Sequence, residues 1–175
     1  MKLIAFSASS SRKSINKKLV AYASSLLDSF TVEIIDINDY ELPLFSEDKE
    51  AEIGKPELAK QFLEKIEGAD AVIISFAEHN GTYTTAYKNL FDWCSRINPK
   101  VYLNKPMVLL STSPGPGGAR NVLEVASQSM PHFGGEVVGR FSLPSFYDNF
   151  DLDSNKITNA ELAAELNDVV QGLKA

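Results

Sequence analysis

The chain has 175 residues, 44% of them hydrophobic and 23% charged, with a net charge of −6; this is enough apolar material for one core, and too acidic a balance for a nucleic-acid binder. No apolar run approaches the ~20 residues of a membrane span, and Lys2 followed by Leu3-Ile4-Ala5-Phe6 and a polar loop is no secretory signal, so one cytoplasmic domain over 1–175 is expected, with neither membrane nor nucleic acid as partner. Cys94 is the single cysteine, without a second thiol or a nearby histidine; it reads as a buried small hydrophobe, and no metal site is expected.

The first predicted strand is Leu3 to Phe6, and the segment Ser7 to Asn16 joins it to a helical pattern over Lys17 to Leu27. A strand that ends in a hydroxyl-rich turn before a helix is a phosphate cradle in chemical terms. The first amides of a helix lack intrahelical partners and carry the positive end of its dipole, and clustered hydroxyls add donors around one dianion. Arg12, Lys13, Lys17 and Lys18 place positive charge nearby. The plain alternative is a serine-rich turn in which Ser14 or Asn16 only caps the helix, since the glycine signatures of known nucleotide loops are missing.

A strand over Val32 to Ile37 follows, then an irregular stretch, 38–55, with Leu42-Pro43-Leu44-Phe45 and an acidic patch. Pro56 opens and Gly68 closes a helix over Glu57 to Ile66. The next strand, Ala71 to Phe76, runs into the loop Ala77-Glu78-His79-Asn80-Gly81-Thr82-Tyr83 and a helix over Thr84 to Ile97. Met107 to Ser111 is a strand, and Ser111-Thr112-Ser113-Pro114-Gly115-Pro116-Gly117-Gly118-Ala119 leads to a helix over Arg120 to Phe133. Glycine and proline at this density prevent regular structure and let backbone amides approach a flat ligand; the alternative is a flexible connection that caps the helix. A last strand, Val137 to Phe141, precedes a second irregular stretch, 142–157, and the capping box Thr158-x-x-Glu161 opens a helix reaching about Gly172. Exposed aromatics at Phe45, Phe146 and Tyr147 would mark the irregular stretches as a site or subunit contact rather than plain surface loops.

Strands alternating with helices give a parallel sheet with helices on both faces, and five strands in this length fit the flavodoxin-like version of the doubly wound α/β fold. Near-continuous apolarity in the first, third and fourth strands implies burial on both sides. Ligands of such sheets sit beyond the carboxyl ends of the strands where the strand order reverses, which singles out the loops after strands one, three and four.

Those three loops carry a resemblance. The serine-rich first loop with Ser14, Ile15 and Asn16, then Glu78, Asn80 and Gly81 followed by Lys88-Asn89 and Asp92-Trp93, then the glycine-rich loop after Ser111-Thr112-Ser113, resemble the NAD(P)H-dependent FMN reductase family. The similarity runs from residue 3 to about 140. It departs at Ala8, where the family often has glycine, at Ala77 for proline, and at His79 for the tyrosine beside the flavin. The resemblance implies that Ser9, Ser11, Arg12, Ser14, Ile15 and Asn16 hold the FMN phosphate. Glu78, His79, Asn80 and Gly81 would lie along the isoalloxazine, and Ser113, Pro114, Gly115, Gly117 and Gly118 would close its other edge. It further implies hydride transfer from NADPH or NADH through the flavin to a small-molecule acceptor, with no catalytic side chain, in a homodimer or homotetramer that uses the region of Phe91 and Trp93. His79 is read as packing against the ring rather than donating a proton, while Glu78 either ties loop amides or meets the substrate. A flavodoxin-type electron carrier and a non-catalytic binder of another phosphorylated ligand are the rival readings.

Overall fold

A computed structural model describes residues 1–174. Strands β1 (Lys2–Ala8), β2 (Thr31–Asp36), β3 (Ala71–Phe76), β4 (Lys105–Thr112) and β5 (Gly135–Leu143) form one sheet in the order β2-β1-β3-β4-β5, and every pairing is parallel. The chain thus crosses outward from β1 to β2 and back to β3, so the order reverses beside β1. This is the expected flavodoxin-like arrangement.

Successive side chains of a strand point to opposite faces, and both faces here are covered. Ile4, Phe6, Val72, Ile74 and Phe76 pack under α3 (Glu57–Glu67), α4 (Thr85–Ile97) and α5 (Arg120–Ser129), while Leu3, Ala5, Ile73 and Val108 pack under α1 (Ile15–Ser25) and α7 (Ala160–Gln171). Helix α3 shows the rule that made it legible: Ala59, Phe62, Leu63 and Ile66 recur at i, i+3, i+4 and i+7 and are its buried residues. Cys94 lies in this layer, donates weakly to the Ala59 carbonyl at 3.7 Å, and has its thiol pushed up by burial to about 12.

Several expectations are corrected. The stretch 38–55 contains α2 (Glu47–Ile53), which starts at the Ser46 cap but buries no residue and so has no apolar stripe to read. The last helix is capped by Asn159, whose side chain accepts from the amides of Glu161 and Leu162, and not by Thr158. The helix after β4 ends at Ser129, and Met130–Phe133 tightens into a 3-10 turn. Stretch 142–157 holds a short helix, α6 (Phe146–Asn149), and a two-residue ladder between β6 (Phe150–Asp151) and β7 (Lys156–Ile157).

Trp93 and Phe91 are buried within their own chain and present no free face to a second copy. The work of Asn89 and Trp93 is internal. Asn89 donates to the carbonyls of Leu42 and Pro43 and accepts from the Phe45 amide, and the Trp93 indole donates to Pro43 O at 2.7 Å, so α4 fastens the Leu42–Phe45 segment. Phe146 is buried as well, and Tyr147 is the one of the three named aromatics that stands exposed.

Candidate cofactor site

Helix α1 begins with unspent donors. Ser14 occupies its N-cap position in an extended conformation, yet its side chain makes no capping bond, and the first turn holds no acidic residue. The amides of Ile15 and Asn16 precede the first helical bond, from Lys17 N to Ser14 O at 3.1 Å. The Ser14 hydroxyl meets only the Ser7 hydroxyl, at 3.3 Å. Ser9 is buried and accepts from the Ser11 amide, which gives the loop its curvature. Ala8 ends β1 without a positive φ, so the alanine in place of glycine costs no backbone strain.

An open cavity of about 270 Å³ collects Ser9, Ser11, Lys13, Ser14, Ile15 and Asn16 on one side. From the other loops come Ala77, Glu78 and His79, then Thr112, Ser113 and Pro114, with Tyr147 from α6. The expected convergence of the three loops is therefore present, but its membership differs from expectation. Arg12 is outside the wall and Lys13 is in it; Lys17 is engaged by Asp36 and Lys18 by the Asn155 side chain. Burial pushes the Asp36 carboxyl up, but the Lys17 ammonium and the Asn38 amide outweigh it and leave the group below its ordinary value.

Asn16 has a structural duty of its own. Its side chain is buried and donates to Thr112 O at 3.3 Å while accepting from Thr112 N at 3.2 Å and the Ser75 hydroxyl at 2.7 Å. That carboxamide is spent on joining α1 to the ends of β3 and β4. What Asn16 leaves for a ligand is its backbone amide.

The second loop is a tight hairpin. His79 and Thr82 exchange backbone bonds at 3.0 and 3.2 Å, and Asn80 and Gly81 between them both have positive φ, 52° and 82°. Two such residues in sequence make a type I′ turn, for which Asn-Gly is the favoured pair. Asn80 and Gly81 form its tip, outside the cavity wall. Glu78 lines the cavity with its carboxylate already engaged: it accepts from Val122 N at 2.9 Å and the Asn121 side chain at 3.3 Å. It thereby caps α5, whose own N-cap residue is Ala119 with no side-chain acceptor.

Replacing Glu78 with alanine removes a cap and the strap between two loops. A loss of about 1–2 kcal/mol is expected, on the scale of deleted helix caps, read as a lowered thermal midpoint together with faster hydrogen exchange at Val122. Unchanged exchange there would show that the strap carries nothing.

The third loop contributes Ser113 and Pro114 to the wall, while Gly115, Gly117 and Gly118 are not part of its lining. Gly115 O accepts from the Ser145 amide at 2.9 Å, and Gly118 O accepts from the hydroxyls of Ser111 and Ser142, each at 2.8 Å. Gly115 and Gly118 thus shape the loop through their carbonyls. Ala77, Thr112 and Tyr147 also stand in the wall; the sequence places Ala77 and Thr112 in the second and third loops and marks Tyr147 only as a candidate exposed aromatic, and it is the contact of distant loops that joins them in one cavity.

A second cavity, about 360 Å³, opens beyond Ser10 between the 3-10 turn Ile37–Tyr40 and α4. It contains neither the α1 terminus nor any residue of the second and third loops, so size does not make it the site. The smaller cavity joins helix-start amides, hydroxyls and one ammonium to two loops able to border a plane. That donor set fits a phosphorylated planar ligand.

A family model described as NADPH-dependent FMN reductase matches residues 1–148. A quinone reductase of Pseudomonas putida is 36% identical over 121 residues, covering 68% of this chain and 63% of that protein. An NADPH:quinone oxidoreductase of Arabidopsis thaliana is 37% identical over 90 residues, covering 51% of this chain and 44% of its own length. The chain thus spans less than two thirds of both relatives. Among solved structures, the flavoenzyme NAD(P)H:(acceptor) oxidoreductase FerB of Paracoccus denitrificans superposes with a TM-score of 0.77 at 24% identity, over 98% of this chain and 94% of that one, a likeness of fold.

Proposed function

Because the chain belongs to the NADPH-dependent FMN reductase family, we propose that it binds FMN in the cavity at the carboxyl edge of the sheet and oxidises NADPH or NADH at the expense of a small-molecule acceptor. The acceptor class is a quinone, a free flavin, an azo compound or a metal oxyanion. The observation that carries the reading is the start of α1. Its leading amides and the Ser14 hydroxyl, which makes no capping bond and meets only Ser7, share one cavity with Lys13 and with the loops after β3 and β4. FMN, when bound, supplies the acceptance and delivery of hydride that no side chain here offers.

The roles of the chain's own residues follow from position. Ser9, Ser11, Lys13 and Ser14, with the amides of Ile15 and Asn16, neutralise and orient the phosphate. Ala77, Glu78 and His79 border one side of the ring plane, and Ser113 and Pro114 the other. Glu78 acts through α5, holding the two loops at a fixed separation, and His79 packs at the exposed edge. The reading extends to one domain over 1–175, a homodimer or homotetramer, and a cytoplasmic location; among the described residues no helix is long and apolar enough to cross a membrane. The relatives are named as a quinone reductase and an NADPH:quinone oxidoreductase, which disfavours a flavodoxin-type carrier.

Calorimetric titration with FMN is expected to saturate in the micromolar range, with riboflavin much weaker, and the loaded protein is expected to oxidise NADPH when benzoquinone is supplied. Absence of saturation at millimolar FMN overturns the reading.

A further inference from the structure

Tyr147 is the only aromatic residue exposed among the described residues, at 62%, and it stands in the wall of the cavity. Its surroundings are rigid. The adjacent Phe146 is buried and stacks on Phe150 with centroids 4.7 Å apart and planes 18° apart, and Phe150 takes the edge of Tyr22 from α1. The amides of Ser145 and Phe146 donate to the carbonyls of Gly115 and Ser113, at 2.9 and 3.1 Å, so the turn that carries Tyr147 is pinned to the third loop. Ser145 is held at φ 44°, a left-handed conformation that a serine adopts at some energetic expense.

A strained, doubly pinned turn that exposes a phenol needs a use for it. Water alone does not reward placing that ring at a cavity rim, since an exposed aromatic loses the burial that normally stabilises it. Tyr147 shares the wall with the α1 start, with Ala77, Glu78 and His79, and with Thr112, Ser113 and Pro114; because its turn is fastened to Ser113 and Gly115 and, through Phe150 and Tyr22, to α1, the subsite we assign it to is the one beside α1, for an anion and its tether.

Resting on the flavin reading above, we propose that Tyr147 is a positioning residue for the phosphorylated tail of FMN, its hydroxyl donating to a phosphate oxygen and its ring screening that contact from water. A hydroxyl bonded to an anion makes the stronger, charge-assisted kind of hydrogen bond, and the screen raises its weight by lowering the local dielectric. Selectivity for the phosphorylated flavin would then come from two sides, the helix start and the phenol.

The test is equilibrium binding of FMN and of riboflavin to the wild type, Tyr147→Phe and Tyr147→Ala, followed by quenching of flavin fluorescence. Tyr147→Phe is expected to weaken FMN five- to tenfold and riboflavin less than twofold, with Tyr147→Ala losing at least as much for FMN. Tyr147→Phe should keep the wild-type thermal midpoint, because it retains the ring that meets the edge of Phe146 and leaves the Phe146–Phe150 stack intact. If Tyr147→Phe binds FMN as tightly as the wild type, the proposal falls while the flavin reading stands. Equal losses for FMN and riboflavin also overturn it, by placing the ring against the isoalloxazine instead. A wild type that does not saturate with FMN removes both.

Discussion

Replacing Asn16 with alanine will destabilise the fold by about 3 kcal/mol, because it strands buried polar groups that each cost about 1–3 kcal/mol when left unpaired. The groups are Thr112 N, Thr112 O and the Ser75 hydroxyl, all of which lose their bonds to one carboxamide. In a chain of this size that corresponds to a fall of roughly 6–12 °C in thermal midpoint. FMN and riboflavin should lose affinity together, since α1 would no longer be held to the ends of β3 and β4. Ser14→Ala is the contrast: its hydroxyl makes one long contact with Ser7, so stability should change by less than about 1 kcal/mol while FMN alone is weakened. A stable Asn16→Ala protein that loses only FMN would assign the Asn16 side chain to the phosphate after all. Differential scanning calorimetry alongside the two titrations decides it.

That pair also shows how far the sequence could be read. The hydroxyl-rich loop before a helix was visible as a phosphate cradle, and the structure does leave the α1 start uncapped there. Nothing local distinguished Ser14 from Asn16, because the partners that commit Asn16 lie 59 and 96 residues further along the chain. The sheet was legible because Leu3 to Phe6 and Ala71 to Ile74 are apolar without interruption, the mark of a strand covered on both faces. Helix α2 escaped notice because it buries nothing, although Ser46, the acidic first turn and Gly54 were local signs of it. Tyr147 was legible only as a candidate exposed aromatic: its place in the wall depends on β5 delivering α6 beside the third loop, a matter of three-dimensional closure that spacing cannot express.

Gly118 is expected to be the most demanding glycine of the third loop, and its replacement by alanine should cost about 2–4 kcal/mol, from left-handed backbone strain and overpacking combined. Its φ is +59°, and an added Cβ would strike the Ser142 hydroxyl oxygen and come within 3.2 Å of the Leu143 carbonyl group. Ser142 cannot simply swing aside, since its hydroxyl is bonded to Gly118 O, which also holds Ser111. Gly117, one residue earlier, has nothing within 4 Å of its Cβ position and no positive φ, so the fold itself tolerates alanine there. The two substitutions therefore separate two reasons for a glycine. Gly118→Ala should lower the thermal midpoint by several degrees with or without FMN, whereas Gly117→Ala should melt as the wild type does. Any loss of FMN affinity in Gly117→Ala then reports a close approach between ligand and backbone. An unchanged midpoint for Gly118→Ala would mean that β5 shifts at little expense, and the packing of the third loop against Ser142 and Leu143 would no longer explain how the loop keeps its shape.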